Sequence, residues 1–184
     1  MKRNMSLVAV ICGICLLALT ACKDNKVNPP APTDEISDAD GRVDPLIEKR
    51  IAKYEAWLKS APGDTLIMGI LADLYQYKDM TKAEDLINKA VSISPQTPRL
   101  LRIQADILQL SGGKHDIVGK YKKAIELFGE DRRVQKEKSF AYLGLARYYD
   151  RRRDQEKTLQ YARKALEINK SDEQILKFLR ELEY

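Results

Sequence analysis

Leu71–Pro95 reads LADLYQYKDMTKAEDLINKAVSISP, and its apolar residues fall into two short helical stripes with a tight turn between them. Leu71, Ala72 and Tyr75 share one face of the first segment. Ala83, Ile87, Ala90 and Val91 share one face of the second, at the three-and-four spacing of a buried stripe. Ala72, Ala83 and Ala90 stand where two helices would cross, so the backbones can approach closely. Pro95 ends the second segment, because proline has no amide hydrogen for the helical ladder.

The pattern recurs. Ala90 lies 34 positions before Ala124 (in YKKAIEL), and Ala124 lies 41 before Ala165 (in ARKALEI), the same step plus a seven-residue insertion. In the second unit the matching positions are Ala105, Leu108, Tyr121, Ala124 and Leu127. In the third they are Tyr142, Leu145, Ala146, Tyr149, Ala162, Ala165 and Ile168. A 34-residue period with two helices per unit resembles the tetratricopeptide repeat. Some positions depart from that pattern: the first turn (KDMT) is one residue short, Gln104 replaces a leucine, and Ile117 and Thr158 replace second-helix alanines. Lys170 stands at the closing proline.

The resemblance implies an all-α fold, a short right-handed α-solenoid of repeats at about 64–95, 97–129 and 134–170. Capping helices are expected at about 45–60 and 172–183, which closes the helical domain over 44–184. Asp44-Pro45 opens the first, and Leu46, Ile47, Ile51, Tyr54, Trp57 and Leu58 form its stripe, with Trp57 expected to plug the end of the array. Asp64 or Thr65, Thr97-Pro98 and Asp154 read as helix starts, as do the capping boxes Thr81-x-x-Glu84 and Ser171-x-x-Gln174. Ser111-Gly112-Gly113 is a turn, Gly129 ends a helix, and Ile175, Phe178 and Leu179 would seal the last apolar face.

Ahead of the repeats, residues 1–21 read as an export signal, with Lys2 and Arg3 before the apolar run Leu7–Leu19. Leu19-Thr20-Ala21-Cys22 resembles a bacterial lipobox, which implies cleavage before Cys22 and its lipidation. Cys12 and Cys15 would leave with the signal, so Cys22 has no disulfide partner. One acyl chain holds a protein marginally and two or three hold it firmly, at about 0.8 kcal/mol per buried methylene. By the sorting rule of the lipoproteins it resembles, Lys23 in place of aspartate implies the outer membrane, facing the periplasm. Residues 22–43, with Pro29, Pro30 and Pro32 and no apolar periodicity, read as a disordered tether.

Charge and chemistry narrow the function. The formal charge of +5 falls to +3 without Lys2 and Arg3, too little for a nucleic-acid surface. His115, the single histidine, reads as an exposed turn residue. Gly112-Gly113-Lys114 lacks the strand and first glycine of a phosphate loop, and beyond the expected signal, which holds Cys12-x-x-Cys15, no metal, catalytic or cofactor motif occurs. The expectation is a chain that is not an enzyme and needs no cofactor. The repeat resemblance implies a concave face made by the first helix of each unit. It places Asp73, Gln76 and Tyr77, then Arg102, Asp106 and Gln109, then Leu143, Arg147 and Asp150 on that face. Such a groove suits an extended peptide or a partner helix in the envelope. Arg151, Arg152 and Arg153 form the densest basic run, a second docking candidate. The architecture is similar to that of pilus pilotins and of an outer-membrane assembly accessory lipoprotein, which implies an envelope scaffold. A regulator of peptidoglycan, or an enzyme acting on it, is the alternative, the regulator ahead because no nucleophile or metal site can be assembled.

Overall fold

The structure is a computed structural model that describes residues 44–112 and 115–182. The expected signal, Cys22 and the tether lie outside the described residues. The fold is all-α. The described helices are α1 (Pro45–Ser60), α2 (Thr65–Tyr75), α3 (Met80–Ile93), α4 (Pro98–Ser111), α5 (Ile117–Phe128), α6 (Gln135–Asp150), α7 (Gln155–Ile168) and α8 (Glu173–Leu182). A turn of 3-10 helix, Arg132–Val134, leads into α6 across the insertion.

Aspartate starts most of these helices. Asp44, Asp64, Asp79, Asp116 and Asp154 each accept a hydrogen bond from an amide of the following turn, meeting the helix's positive end with a negative charge. Two expected starts move for this reason. The second helix of the first repeat is capped by Asp79, which accepts from the Lys82 amide at 3.0 Å, and not by Thr81. Asp172, which accepts from the Gln174 amide at 3.1 Å, takes the place expected of Ser171. A carboxylate is the stronger acceptor, so the helix begins where it stands. Thr97 makes no side-chain cap, and Pro98 sets the start of α4 through its restricted φ.

Each helix packs on the next in sequence, and α2 also packs on α4, and α4 on α6. Apolar burial follows the same order. One cluster joins α1 to α4 around Met68, Leu71 and Ile103. A second joins α4, α5 and α6 around Tyr121, and a third joins α6, α7 and α8 around Leu143, Ile175 and Phe178. The alanines at the crossings, among them Ala72, Ala83, Ala90, Ala124, Ala162 and Ala165, are fully buried. The departures from the repeat pattern have local partners. Buried Gln104 donates to Asn88 at 2.8 Å and accepts from Lys120 at 2.8 Å, while Thr158 donates its hydroxyl to the Asp154 carbonyl. Trp57 is no plug: it is 46% exposed, and Tyr54 fills the apolar contact instead. The indole is too far round the helix, three positions past Tyr54, and it meets that ring edge-on at 5.2 Å.

The α6–α7 turn carries a positive φ at a residue other than glycine, Arg153 at 59°. A side chain there costs about 1–2 kcal/mol, of which glycine's extra freedom in the unfolded chain takes back about half. Arg153→Gly is therefore expected to raise stability by about 0.5 kcal/mol. The check is a higher urea midpoint with an unchanged slope.

Candidate functional site

The face shared by α2, α4 and α6 holds a mixed-charge cluster centred on Arg102. Its Nη1 lies 2.5 Å from Asp106 Oδ2, one helical turn away on α4. Its Nε lies 3.3 Å from Glu137 Oε2 on α6, and Arg99 Nε lies 3.8 Å from the other oxygen of Glu137. Tyr121, fully buried on α5, donates its hydroxyl to Asp106 Oδ1 at 2.5 Å, so one carboxylate ties α4's charge to the core beneath it. Arg99 Nε, Arg102 Nε and Glu137 Oε2 are buried yet misaligned for hydrogen bonds with one another. The cluster keeps unused hydrogen-bonding capacity at its centre.

Burial and neighbouring charge act on the ionisable groups in opposite directions. Burial pushes the Asp73 carboxyl up, while Arg102 and Arg99 pull it down by a smaller amount. Asp106 is likewise raised by burial against the pull of Arg102 and the Tyr121 hydrogen bond. The Tyr77 phenol is raised by burial, then by Asp73 and Asp106, with Arg147 opposing. These couplings bring Asp73 and Tyr77 of α2, Arg102 and Asp106 of α4, and Arg147 of α6 into one electrostatic environment.

The remaining expected groove residues divide. Gln76 folds back on Asp73, donating to its carbonyl at 2.8 Å and its carboxylate at 3.1 Å. Gln109 approaches Tyr121 at 3.5 Å, and its carbonyl accepts from Arg151 Nη1 at 2.9 Å. Leu143 is not on the groove face: at 1% exposure it packs with Ala146, Ala162 and Phe178 in the third cluster. Its register is that of Arg102, 41 positions earlier, the step that also separates Ala124 from Ala165; what differs is that Ile175 and Phe178 of α8 share its cluster and cover the position. Asp150 is exposed at the end of α6, with no side-chain tie to the cluster among the described contacts. Arg99 and Glu137 were missed. Arg99, Arg102 and Asp106 carry helical spacing that could have announced the first, whereas Glu137 was absorbed into a charge-rich insertion.

The three arginines of the basic run are all exposed but have different surroundings. Arg151 reaches the Gln109 carbonyl, Arg152 lies over the Tyr148 ring at 3.7 Å, and Arg153 makes the turn. At the α8 end, Arg147, Gln174, Lys177, Phe178 and Glu181 line a cavity of about 150 Å³. His115 is exposed, as expected of a turn residue. Among the described residues no group of His, Cys, Asp and Glu is arranged to hold a metal ion, and no helix is long and apolar enough to cross a membrane. No protein-family model matches the chain, and no curated protein is significantly similar to it.

Proposed function

We propose that the chain is a lipoprotein of the bacterial envelope, held at the outer membrane through Cys22, whose helices form a tetratricopeptide-type solenoid and present the α2–α4–α6 face to a protein partner. It works as a scaffold or adaptor in envelope assembly, as a pilotin or an outer-membrane assembly accessory does, and performs no catalysis. One observation carries the reading: residues about one repeat apart in sequence, on three helices, converge in a single charged cluster with unused hydrogen-bonding capacity. Core clusters that succeed one another along the chain, in place of one common centre, support stacked repeats. An extended peptide or a partner helix suits this face, its main chain or polar side chains meeting the Arg102–Glu137 centre. An acidic group of the partner would enter the cavity beside Arg147 and Lys177.

Arg147 is the residue on which to test the groove, because it is exposed and its reversal spares the buried pairs. From detergent-solubilised membranes of cells making the full chain, wild type is expected to retain a stoichiometric protein partner. Arg147→Glu is expected to lose roughly tenfold in that association. Labelled palmitate should enter wild type and not Cys22→Ser. Recovery of the chain alone, or equal recovery with Arg147→Glu, rejects the groove; an unlabelled wild-type chain rejects the anchor.

A further inference from the structure

α1 turns a cationic and apolar side outward. At 100° per residue, Leu46, Lys49, Arg50, Lys53 and Trp57 fall within about a 100° sector of its circumference. Ile47, Ile51 and Tyr54 occupy the sector buried against the next helices. Leu46 is 59% exposed and Trp57 46% exposed, the large apolar side chains that α1 leaves to solvent. Lys53 Nζ sits 4.6 Å from the centre of the Trp57 ring. The two carboxylates of the helix lie on its other flank and are occupied: Glu48 pairs with Lys78 at 2.6 Å and Glu55 with Lys82 at 2.8 Å. Every charge that α1 itself places on this sector is therefore positive, with half-buried Arg50 at its inner edge also acting on the Asp73 carboxyl of α2. A tryptophan and a leucine framed by lysine and arginine match the boundary between headgroups and acyl chains, where an indole sits half in hydrocarbon and cations meet lipid phosphates.

We propose that this face of α1 lies against an anionic phospholipid surface, so that the helical domain meets the bilayer through α1 as well as through its acyl chains. The proposal builds on anchoring at Cys22, which would hold α1 within reach: Pro45 follows it by 23 positions, a contour of at most about 80 Å. Charge complementarity selects the occupant. A second copy of the chain would set cation against cation across a two-fold axis, whereas a phosphatidylglycerol surface supplies the opposite charge over a continuous plane.

Trp57 is the only tryptophan, so its emission reports this face alone. With the full chain in phosphatidylglycerol-containing vesicles, emission is expected to move to shorter wavelength and to be quenched by brominated lipid, and both effects should weaken in high salt. Vesicles of phosphatidylcholine should give neither. Lys49→Gln with Lys53→Gln, both at exposed positions, should weaken vesicle partitioning of the Cys22→Ser chain by on the order of twenty-five-fold, at about fivefold per cation. Unchanged emission in the anionic vesicles overturns the proposal. So does a shift that grows with protein concentration without lipid, which would assign the face to a second copy. If wild type takes up no palmitate, the anchor fails, and the same titration on the unlipidated chain decides the face: a salt-sensitive shift upholds it and none rejects it.

Discussion

Gly144→Ala is expected to lower the stability of the helical domain by about 2–3 kcal/mol, although alanine is the better helix former. In the interior of an ordinary helix the exchange would gain about 1 kcal/mol. Here the added methyl carbon would stand 2.5 Å from Cε1 and Cζ of Tyr121 and 2.7 Å from its hydroxyl oxygen. The ring cannot turn aside cheaply, because it is fully buried among α4, α5 and α6 and its hydroxyl is held by Asp106 at 2.5 Å. Displacing it costs about 1–3 kcal/mol in overpacking and about 1.5–3 kcal/mol in the hydrogen bond to a charged acceptor, which together outweigh the propensity gain. Urea unfolding of Gly144→Ala, Tyr121→Phe and Tyr121→Leu, with the Gly144→Ala/Tyr121→Leu pair, checks this. Removing the ring should make the methyl harmless, so the double variant should be more stable than the sum of its parts predicts. A Gly144→Ala midpoint at or above wild type would mean that ring and backbone are not in contact.

Tyr121 also shows where the sequence was legible. Its position in the second repeat follows from the spacing of apolar residues, and the capping residues put the expected helix starts within a residue or two of those observed. Periodicity reports which side of a helix is buried, and burial dominates packing. What the period cannot report is a polar tie between helices distant in sequence. Nothing local to Tyr121 says that its hydroxyl reaches Asp106, or that Glu137 from the first turn of α6 closes on Arg102. Leu143 failed for the complementary reason: repeat alignment assigns a face but not what covers it, and Ile175 and Phe178 of α8 close over this one. Trp57 failed because a stripe of six apolar residues on one helix is wider than the surface its neighbours cover. The site was legible as a region and as a charge pattern, through Asp73, Arg102, Asp106 and Arg147, and its geometry was not.

Arg102→Met should be the most damaging single change to the cluster, costing about 3–5 kcal/mol at neutral pH. Methionine keeps most of the length and apolar stem of arginine, so little packing is lost. What disappears is the cation beside Asp106 and Glu137, at 2.5 Å and 3.3 Å, leaving half-buried carboxylates to face one another. The sign of the pH dependence follows from the raised carboxyls. Burial holds Asp73 and Asp106 above the ordinary aspartate value, so between that value and the raised one the folded chain binds more protons than the unfolded chain. Their contribution to stability is therefore greatest below about pH 4 and falls as pH rises through the raised values. Arg102 limits that fall in wild type by pulling both groups down. Without it they rise further, so the penalty of Arg102→Met should be full at pH 7.5 and shrink towards pH 4.5. Asp106→Asn in the same chain removes one of the stranded charges and should recover a substantial part of the loss at pH 7.5 while changing little at pH 4.5. Paired urea titrations at the two pH values read all of this. A penalty of equal size at both would mean that lost packing, and not stranded charge, is what the substitution costs, and a stable Arg102→Met at pH 7.5 would mean that water already screens the cluster.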